Sequence, residues 1–340
     1  MPPVQFGVVS LGAALGEPQD VAEVAPSYVK DPERVMAWGY RTFHRVVDGT
    51  TSAHLGARAA AQALERARIE VGEVDLLVVA ASDVPDYLQW DVSSAVAREL
   101  GMVGTPTLLL TQACAATVTA FQQIAGTFAV RDDVRTVLLV AINQVSEGHA
   151  NRMNTNTCVS SDGAAAAVLR RNHATLRWLA TDQFTDPECV DFFRVEYGGA
   201  AAPIAPEGLG NLEFDRLAAV YRQFRRDPDH FTRFTRELNQ RVALVVDNAF
   251  ARSGVDRARL TRLIYLNDNY KAMVDVAEAV GLPLDRTNFE LGASIGHCGA
   301  ADQLICLDTY VERGDLQKGD VVALAGIGYG MHWFCTLLEV

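Results

Sequence analysis

The feature that most limits how this chain can fold is a series of uninterrupted apolar runs set between helical stretches. Val74–Ala81, Thr107–Thr111, Thr136–Ala141 and Gly163–Leu169 lie in the first half, and Leu263–Leu266, Asp320–Ala325 and Phe334–Leu338 in the second. Runs that do not alternate with polar residues predict strands covered on both faces. Between them, Ser52–Ala67 carries Leu55, Ala59, Ala63 and Leu64 on one helical face. Val92–Leu100, Ala115–Val130, Phe234–Arg252 and Ala272–Val280 read the same way. Strands alternating with helices predict a layered α/β architecture.

The two halves share an outline. In each, a helix ends in a basic turn (Arg66–Arg68; Arg252–Gly254), a buried strand follows, and a further helix ends at Leu100-Gly101 or Val280-Gly281. This weak internal repeat predicts a duplicated fold, divided here at 1–172 and 173–340. Residues 184–235 break the repeat with Gly, Pro and charge, as a cap or an active-site insertion would.

Composition narrows the class. Of 340 residues, 49% are hydrophobic and 21% charged, which is a globular balance. The net charge of −12 disfavours nonspecific binding to nucleic acid or to an anionic membrane. No apolar run reaches the roughly 18 residues of a membrane span. The first residues do not read as a signal peptide, so a cytoplasmic protein is expected. The six cysteines form no C-x-x-C pair, and the seven histidines show no metal-ligand spacing.

Three stretches carry chemistry. In Leu108–Phe121 a buried strand enters a small-residue turn, and a helix begins just after Cys114. A thiol there faces unpaired N–H groups and the positive end of the helix dipole, the setting of a nucleophilic cysteine. The neighbouring alanines leave room for an acyl chain or a pantetheine arm. In Asn288–Asp302, Gly292, Gly296 and Gly299 surround His297, which suits a general base better than a core residue. In Ala325–Trp333 a glycine-rich turn lies between two buried strands and can aim N–H groups at an oxyanion. It lacks the strand–turn–helix setting and the glycine spacing of a dinucleotide site.

Taken in this order, and with Asp162-Gly163-Ala164 matching part of a G-D-G-A segment, the stretches resemble β-ketoacyl-acyl-carrier-protein synthase III of the thiolase superfamily. The resemblance spans nearly the whole chain. It implies an α/β thiolase fold, duplicated as five α/β/α/β/α layers, and a homodimer. It also implies a Cys nucleophile that accepts an acyl group from coenzyme A or a carrier protein, with no resident cofactor or metal. The departures matter more. The family's H-Q-A-N segment is Leu266-Asn267-Asp268-Asn269 here, so Leu266 takes the His position. The Asn of its G-N-T-S segment is replaced by His297. The His–Asn pair that supports condensation is therefore lost. The middle glycine of the family's last turn is Tyr329, whose N–H can join that of Cys114 as an oxyanion donor.

Cys, one His and nearby carboxylates suit acyl transfer to an oxygen or nitrogen nucleophile. Asp302 and Asp268 compete to orient His297. Five residues on one helix would set His297 and Asp302 about 140° apart. Asp302 therefore works only if His297 sits in a turn ahead of that helix. Asp302 is the preferred reading, and Asp268 stays open. With His297 and Asp302 the chain resembles a divergent acyltransferase and starter-unit branch of antibiotic and polyketide biosynthesis. Asn267 and Asn269 are expected to contact substrate. Arg225 and Arg226 are candidates to dock coenzyme A phosphates or an acidic carrier protein. Gln89 and Trp90 fall where the family's partner subunit supplies an aromatic gate.

The reading taken is an acyltransferase that moves a small acyl group, malonyl-type or another short acid, to a hydroxyl of a secondary-metabolite acceptor such as a glycosylated polyketide. A starter-unit β-ketoacyl synthase and a non-catalytic carrier-protein-binding partner are the alternatives.

Overall fold

The computed structural model describes residues 4–82, 84, 86–212, 220, 224 and 227–340. The first half runs through β1 (Phe6–Leu15), β2 (Glu17–Asp20), α1 (Val21–Tyr28), α2 (Pro32–Met36), β3 (Thr42–Arg45), α3 (Ser52–Ala67), β4 (Leu76–Ala81), α4 (Val92–Glu99), β5 (Thr107–Leu110), α5 (Ala116–Val130), β6 (Thr136–Asn143) and β7 (Gly163–Arg171). The second contains β8 (Arg177–Thr185), α6 (Pro228–Ser253), β9 (Leu260–Ile264), α7 (Tyr270–Val280), α8 (Phe289–Ile295), α9 (Asp302–Arg313), β10 (Val321–Gly328) and β11 (His332–Glu339).

Nine strands pair in the order β5-β4-β6-β7-β1-β8-β11-β10-β9. β1 meets β8 through a single residue pair, Gly7 with Arg177, so two half-sheets join there. In the first, β4 is parallel to β5 and β6, and β6–β7 and β7–β1 are antiparallel. The second repeats this sense, with β9–β10 parallel and β10–β11 and β11–β8 antiparallel. Among the described residues it is one edge strand shorter.

The layers follow from which helices touch which strands. α3 covers β1, β6 and β7 and packs with α4, while α6 covers β8, β10 and β11 and packs with α7. α5 touches β4 and β6 on one side and β8 and β11 on the other. α9 likewise touches β1 and β7 as well as β9. α5 and α9 are therefore the middle of five layers, α/β/α/β/α, in the duplicated thiolase arrangement. Ala113–Val130 is long and apolar enough to cross a membrane by length and composition, contrary to the sequence expectation, but 67% of it is buried. Its apolarity is that of a helix packed between two sheets.

The continuous apolar runs are the buried strands: every residue of β6 and β10 is buried. α3 matches its predicted bounds, and Thr51 and His54 close a capping box at its start. Two long strands were not legible. β1 is diluted by Gly7, Ser10 and Gly12, and its backbone lies directly on α3. A Cβ at Gly12 would sit 2.4 Å from Ala59 O and 2.7 Å from Ala63 N. β8 carries buried Asp182, which pairs with Arg252 and Asn248 of α6 at 2.8 and 3.1 Å.

Candidate active site

β5 delivers the chain to Gln112, and Ala113 then takes a left-handed φ of +49°. A 3-10 turn, Ala113–Ala115, leads into α5 with no side chain capping either helix start. Cys114 in that turn is 6% exposed. Ala113, Ala115 and Ala116 around it are small and buried. The glycine-rich turn after β10 closes on the same spot, for a Cβ at Gly328 would lie 3.1 Å from Ala115 N.

His297 arrives from the other half. Its N–H donates to Val159 O and its carbonyl accepts from Ser161 N–H, both at 2.8 Å. The glycines around it are sterically required. Gly296 has φ +79° with its would-be Cβ 2.8 Å from Ser161 Cβ. Gly299 has φ +51° with its would-be Cβ 2.2 Å from Ser82 Oγ and 2.5 Å from Asn143 Oδ1. A second 3-10 turn, Gly299–Ala301, then leads into α9.

His297 therefore sits in the turn ahead of the helix, and Asp302 begins that helix. His297 Nδ1 lies 2.6 Å from Asp302 Oδ2, and His297 Nε2 lies 3.4 Å from Cys114 Sγ. Asp302 is held by two further donors, Asn267 N–H at 2.9 Å and Cys298 N–H at 2.6 Å. With its carboxylate on Nδ1, the ring donates there and turns Nε2 to the thiol. Burial opposes charge on the imidazole. The Asp302 carboxylate, with the Cys114 and Cys158 sulfurs adding to it, outweighs burial and holds the pKa well above the usual value.

The remaining candidates divide. Asp268 lines the cavity but makes no hydrogen bond to His297 among the described residues. Burial pushes its carboxyl up to about 6, against the hydrogen bond from Asn269 N–H and the charge of His297. Leu266 and Tyr329 also line the cavity, and the Tyr329 ring packs tilted against Phe193 with centroids 5.6 Å apart.

Asn267 borders the cavity, and its side chain is hydrogen-bonded within the protein. It donates to Gly296 O at 2.9 Å and accepts from Asn288 at 2.8 Å. Asn269 is a helix cap and is not among the cavity-lining residues: its Oδ1 accepts from Ala272 N–H at 3.0 Å and its amide donates to Thr157 O at 3.0 Å. Gln89 is exposed, Trp90 packs edge-on against Tyr87 at 5.6 Å, and neither lines this chain's cavity. Arg225 and Arg226 lie outside the described residues.

The cavity measures about 170 Å³, and Cys114 and His297 line it. The 191–195 stretch on its wall belongs to the 184–235 segment expected as a cap or active-site insertion, whereas sequence reasoning missed Ser82, Asn143 and Cys158. Ser82 Oγ donates to Asn143 Oδ1 at 2.5 Å and accepts from Ala300 N–H at 3.2 Å, bracing the turn after His297. The one available signal was Asn143, a polar residue closing an otherwise apolar strand.

Comparison with known proteins agrees with this architecture. Residues 110–187 match the family 3-oxoacyl-[acyl-carrier-protein] synthase III, and residues 250–340 match its C-terminal counterpart. The chain is 29% identical to β-ketoacyl-[acyl-carrier-protein] synthase III of Acaryochloris marina, over 88% of this chain and 86% of that one. It is 27% identical to the acetoacetyl CoA synthase NphT7 of Streptomyces sp. over the full length of both. Among solved structures, the acyltransferase ChlB3 superposes with a TM-score of 0.84 at 24% identity, over 99% of this chain and 98% of that one. FabH from Pseudomonas aeruginosa superposes with a TM-score of 0.78 at 24% identity, over 98% of each. The chain thus resembles β-ketoacyl-acyl-carrier-protein synthase III over most of its length and has the thiolase fold.

Proposed function

We propose that this synthase III-like chain is an acyltransferase that carries a small acyl group from a coenzyme A or carrier-protein thioester, through a Cys114 acyl-enzyme, to an acceptor hydroxyl. The observation that carries the reading is the continuous line Cys114–His297–Asp302, at 3.4 and 2.6 Å, on a cavity where Leu266 offers no proton chemistry.

The steps follow from the groups present. Cys114 Sγ gives its proton to His297 Nε2 and attacks the thioester carbonyl, and the N–H groups of Cys114 and Tyr329 receive the oxyanion. Collapse breaks the bond to the donor sulfur, which takes a proton from His297. The acceptor hydroxyl then gives its proton to His297 Nε2 as its oxygen attacks the acyl carbon. The second collapse releases the ester and returns that proton to the Cys114 sulfur. Asp302 stays ionised throughout and steadies the imidazolium. No cofactor is needed, because the thioester supplies the activation. A cavity of about 170 Å³ suits a short acyl group, since about 150 Å³ holds benzene. The acceptor in this reading is a hydroxyl of a secondary-metabolite scaffold such as a glycosylated polyketide, and the reaction belongs to the cytoplasm.

A homodimer is part of the reading. Among the described residues β5 is paired on one side only, by β4, and Leu108 on it is 37% exposed. Val103 before it is 96% exposed, and a bare apolar edge is what a second copy covers.

Intact-mass analysis after incubation with acyl-coenzyme A thioesters tests the mechanism. An adduct in the wild type that is absent in Cys114→Ala supports it, and its accumulation in His297→Ala places the deacylating base. An acylated species or ester product from Cys114→Ala would overturn it. The synthase relatives favour a second reading, a starter-unit β-ketoacyl synthase. Carbon dioxide release and a β-keto product would select that one. Absence of any adduct from both coenzyme A and carrier-protein donors would leave a non-catalytic carrier-protein partner.

A further inference from the structure

We infer that the carboxylate of Asp268 makes this cavity selective for uncharged acyl groups and against acyl groups that carry a carboxylate, such as malonyl. The inference rests on the acyl-enzyme reading above and narrows its donor.

The charges on the cavity wall decide the matter. His297 and Asp302 offset one another in a contact of 2.6 Å. Arg194 is already engaged by Asp191 at 2.8 Å and Glu196 at 2.9 Å. Asp268 has no ion-pair partner among the described residues. Its Oδ1 accepts from Asn269 N–H at 2.8 Å and from the Asn269 amide at 3.0 Å. Its Oδ2 makes no hydrogen bond among the described residues, although the residue lines the cavity. The other titratable groups around it are His297, Asp302, Tyr40, Tyr265 and Cys158. Burial raises the pKa of both tyrosines and pushes Cys158 up to about 11, so none of these three brings a charge near neutral pH. The Asp268 carboxyl itself, held up to about 6, is ionised above neutral pH. The wall thus carries one uncompensated negative charge in a confined space, where like charges repel far more than in water.

Acetyl and propionyl groups leave that charge undisturbed. A malonyl group brings a second carboxylate, and among the described residues no unpaired Lys or Arg lines the cavity to meet it. The chemical step is the same for each: a bond forms between Cys114 sulfur and the acyl carbon, the bond to coenzyme A sulfur breaks, and that sulfur leaves with a proton from His297. Selection therefore operates on entry to the cavity. It also counts against a carboxylated extender as the second substrate.

The test is a time course of Cys114 loading, read by intact mass at pH 7.5, with acetyl-, propionyl- and malonyl-coenzyme A. Wild type is expected to load malonyl at least about tenfold more slowly than acetyl. The malonyl-to-acetyl ratio is expected to rise at least about tenfold in Asp268→Asn and to return to the wild-type value in Asp268→Glu. The ratio is read on folded protein, so a general loss of activity does not move it. Equal loading of malonyl and acetyl by the wild type, or an unchanged ratio in Asp268→Asn, would overturn the inference and leave the acyl-enzyme intact. No loading from any of the three acyl groups, offered on coenzyme A and on a carrier protein, would overturn the acyl-enzyme reading, and this inference with it.

Discussion

The starts of α5 and α9 are two versions of one local structure. Each is a 3-10 turn running into a helix, with no side chain of the preceding residue as cap. Each turn begins with a left-handed residue, Ala113 at φ +49° and Gly299 at φ +51°. They differ in what occupies the helix end. At α9, Asp302 fills it with a carboxylate that accepts from Cys298 N–H, Asn267 N–H and His297. At α5, the turn holds a thiol and the nearby side chains are alanines. One helix end is spent on fixing a base, and the other is left for the reacting group. The positive end of a helix favours negative charge in both cases, permanent in one and passing in the other.

The largest break in that comparison comes from Cys114→Ala. Turnover should fall by about 10⁴-fold or more, with no adduct in the mass spectrum. Asp302→Asn should come next, lowering the rate by about 10²–10⁴-fold as the imidazole loses its orienting partner. Its effect on stability has a direction. His297 holds a raised pKa in the native state, so the native protein keeps a proton that the unfolded chain sheds. That contribution is complete below the ordinary value of 6.5 and is lost as pH rises through the native value. The denaturation gap between wild type and Asp302→Asn should therefore be wide just below pH 6.5 and narrow on the alkaline side.

The two left-handed residues sharpen the comparison. Gly299→Ala forces a Cβ to 2.2 Å from Ser82 Oγ and should cost about 2–4 kcal/mol in urea unfolding. Ala113→Gly relieves a strained φ at the cost of one buried methyl and should change stability by less than about 1 kcal/mol. Equal effects at the two sites would show that the turns are not constrained differently. Between these lies Asp268→Asn. Burial lifts that carboxyl from 3.8 to about 6, so wild type loses stability as pH rises through that window. The variant should gain on the order of 1–3 kcal/mol over wild type at pH 7–8 and nothing below about pH 3.8.

Much of the fold was legible because burial on both faces leaves an unmistakable trace in the sequence. β6, β7 and β10 read as strands for that reason, and the bounds of α3 followed from its apolar stripe. β1 and β8 were hidden because tertiary partners stand in for side-chain apolarity: glycines against α3 in one, and Asp182 paired with Arg252 in the other. At the site, spacing set the condition under which Asp302 could serve, that His297 precede the helix, and left Asp268 open; the fold meets that condition. Spacing could not distinguish Asn269 as a cap from Asn269 as a ligand, since both uses want a small polar side chain at a helix start. Of the cavity walls only the 184–235 segment was legible, because it breaks the repeat; the wall at residues 145–158 was not, because loops acquire their neighbours only through the fold that carries them.

The reacting groups stand on helix starts in the middle layer, whereas the walls at residues 145–158 and 191–195 are lent by loops outside it. Inheritance can therefore act on the two separately. A lineage can drift from one substrate to another through exchanges in those loops while the reaction itself is passed on unchanged. The same two segments form a cassette that a protein engineer can transplant without touching the reacting groups.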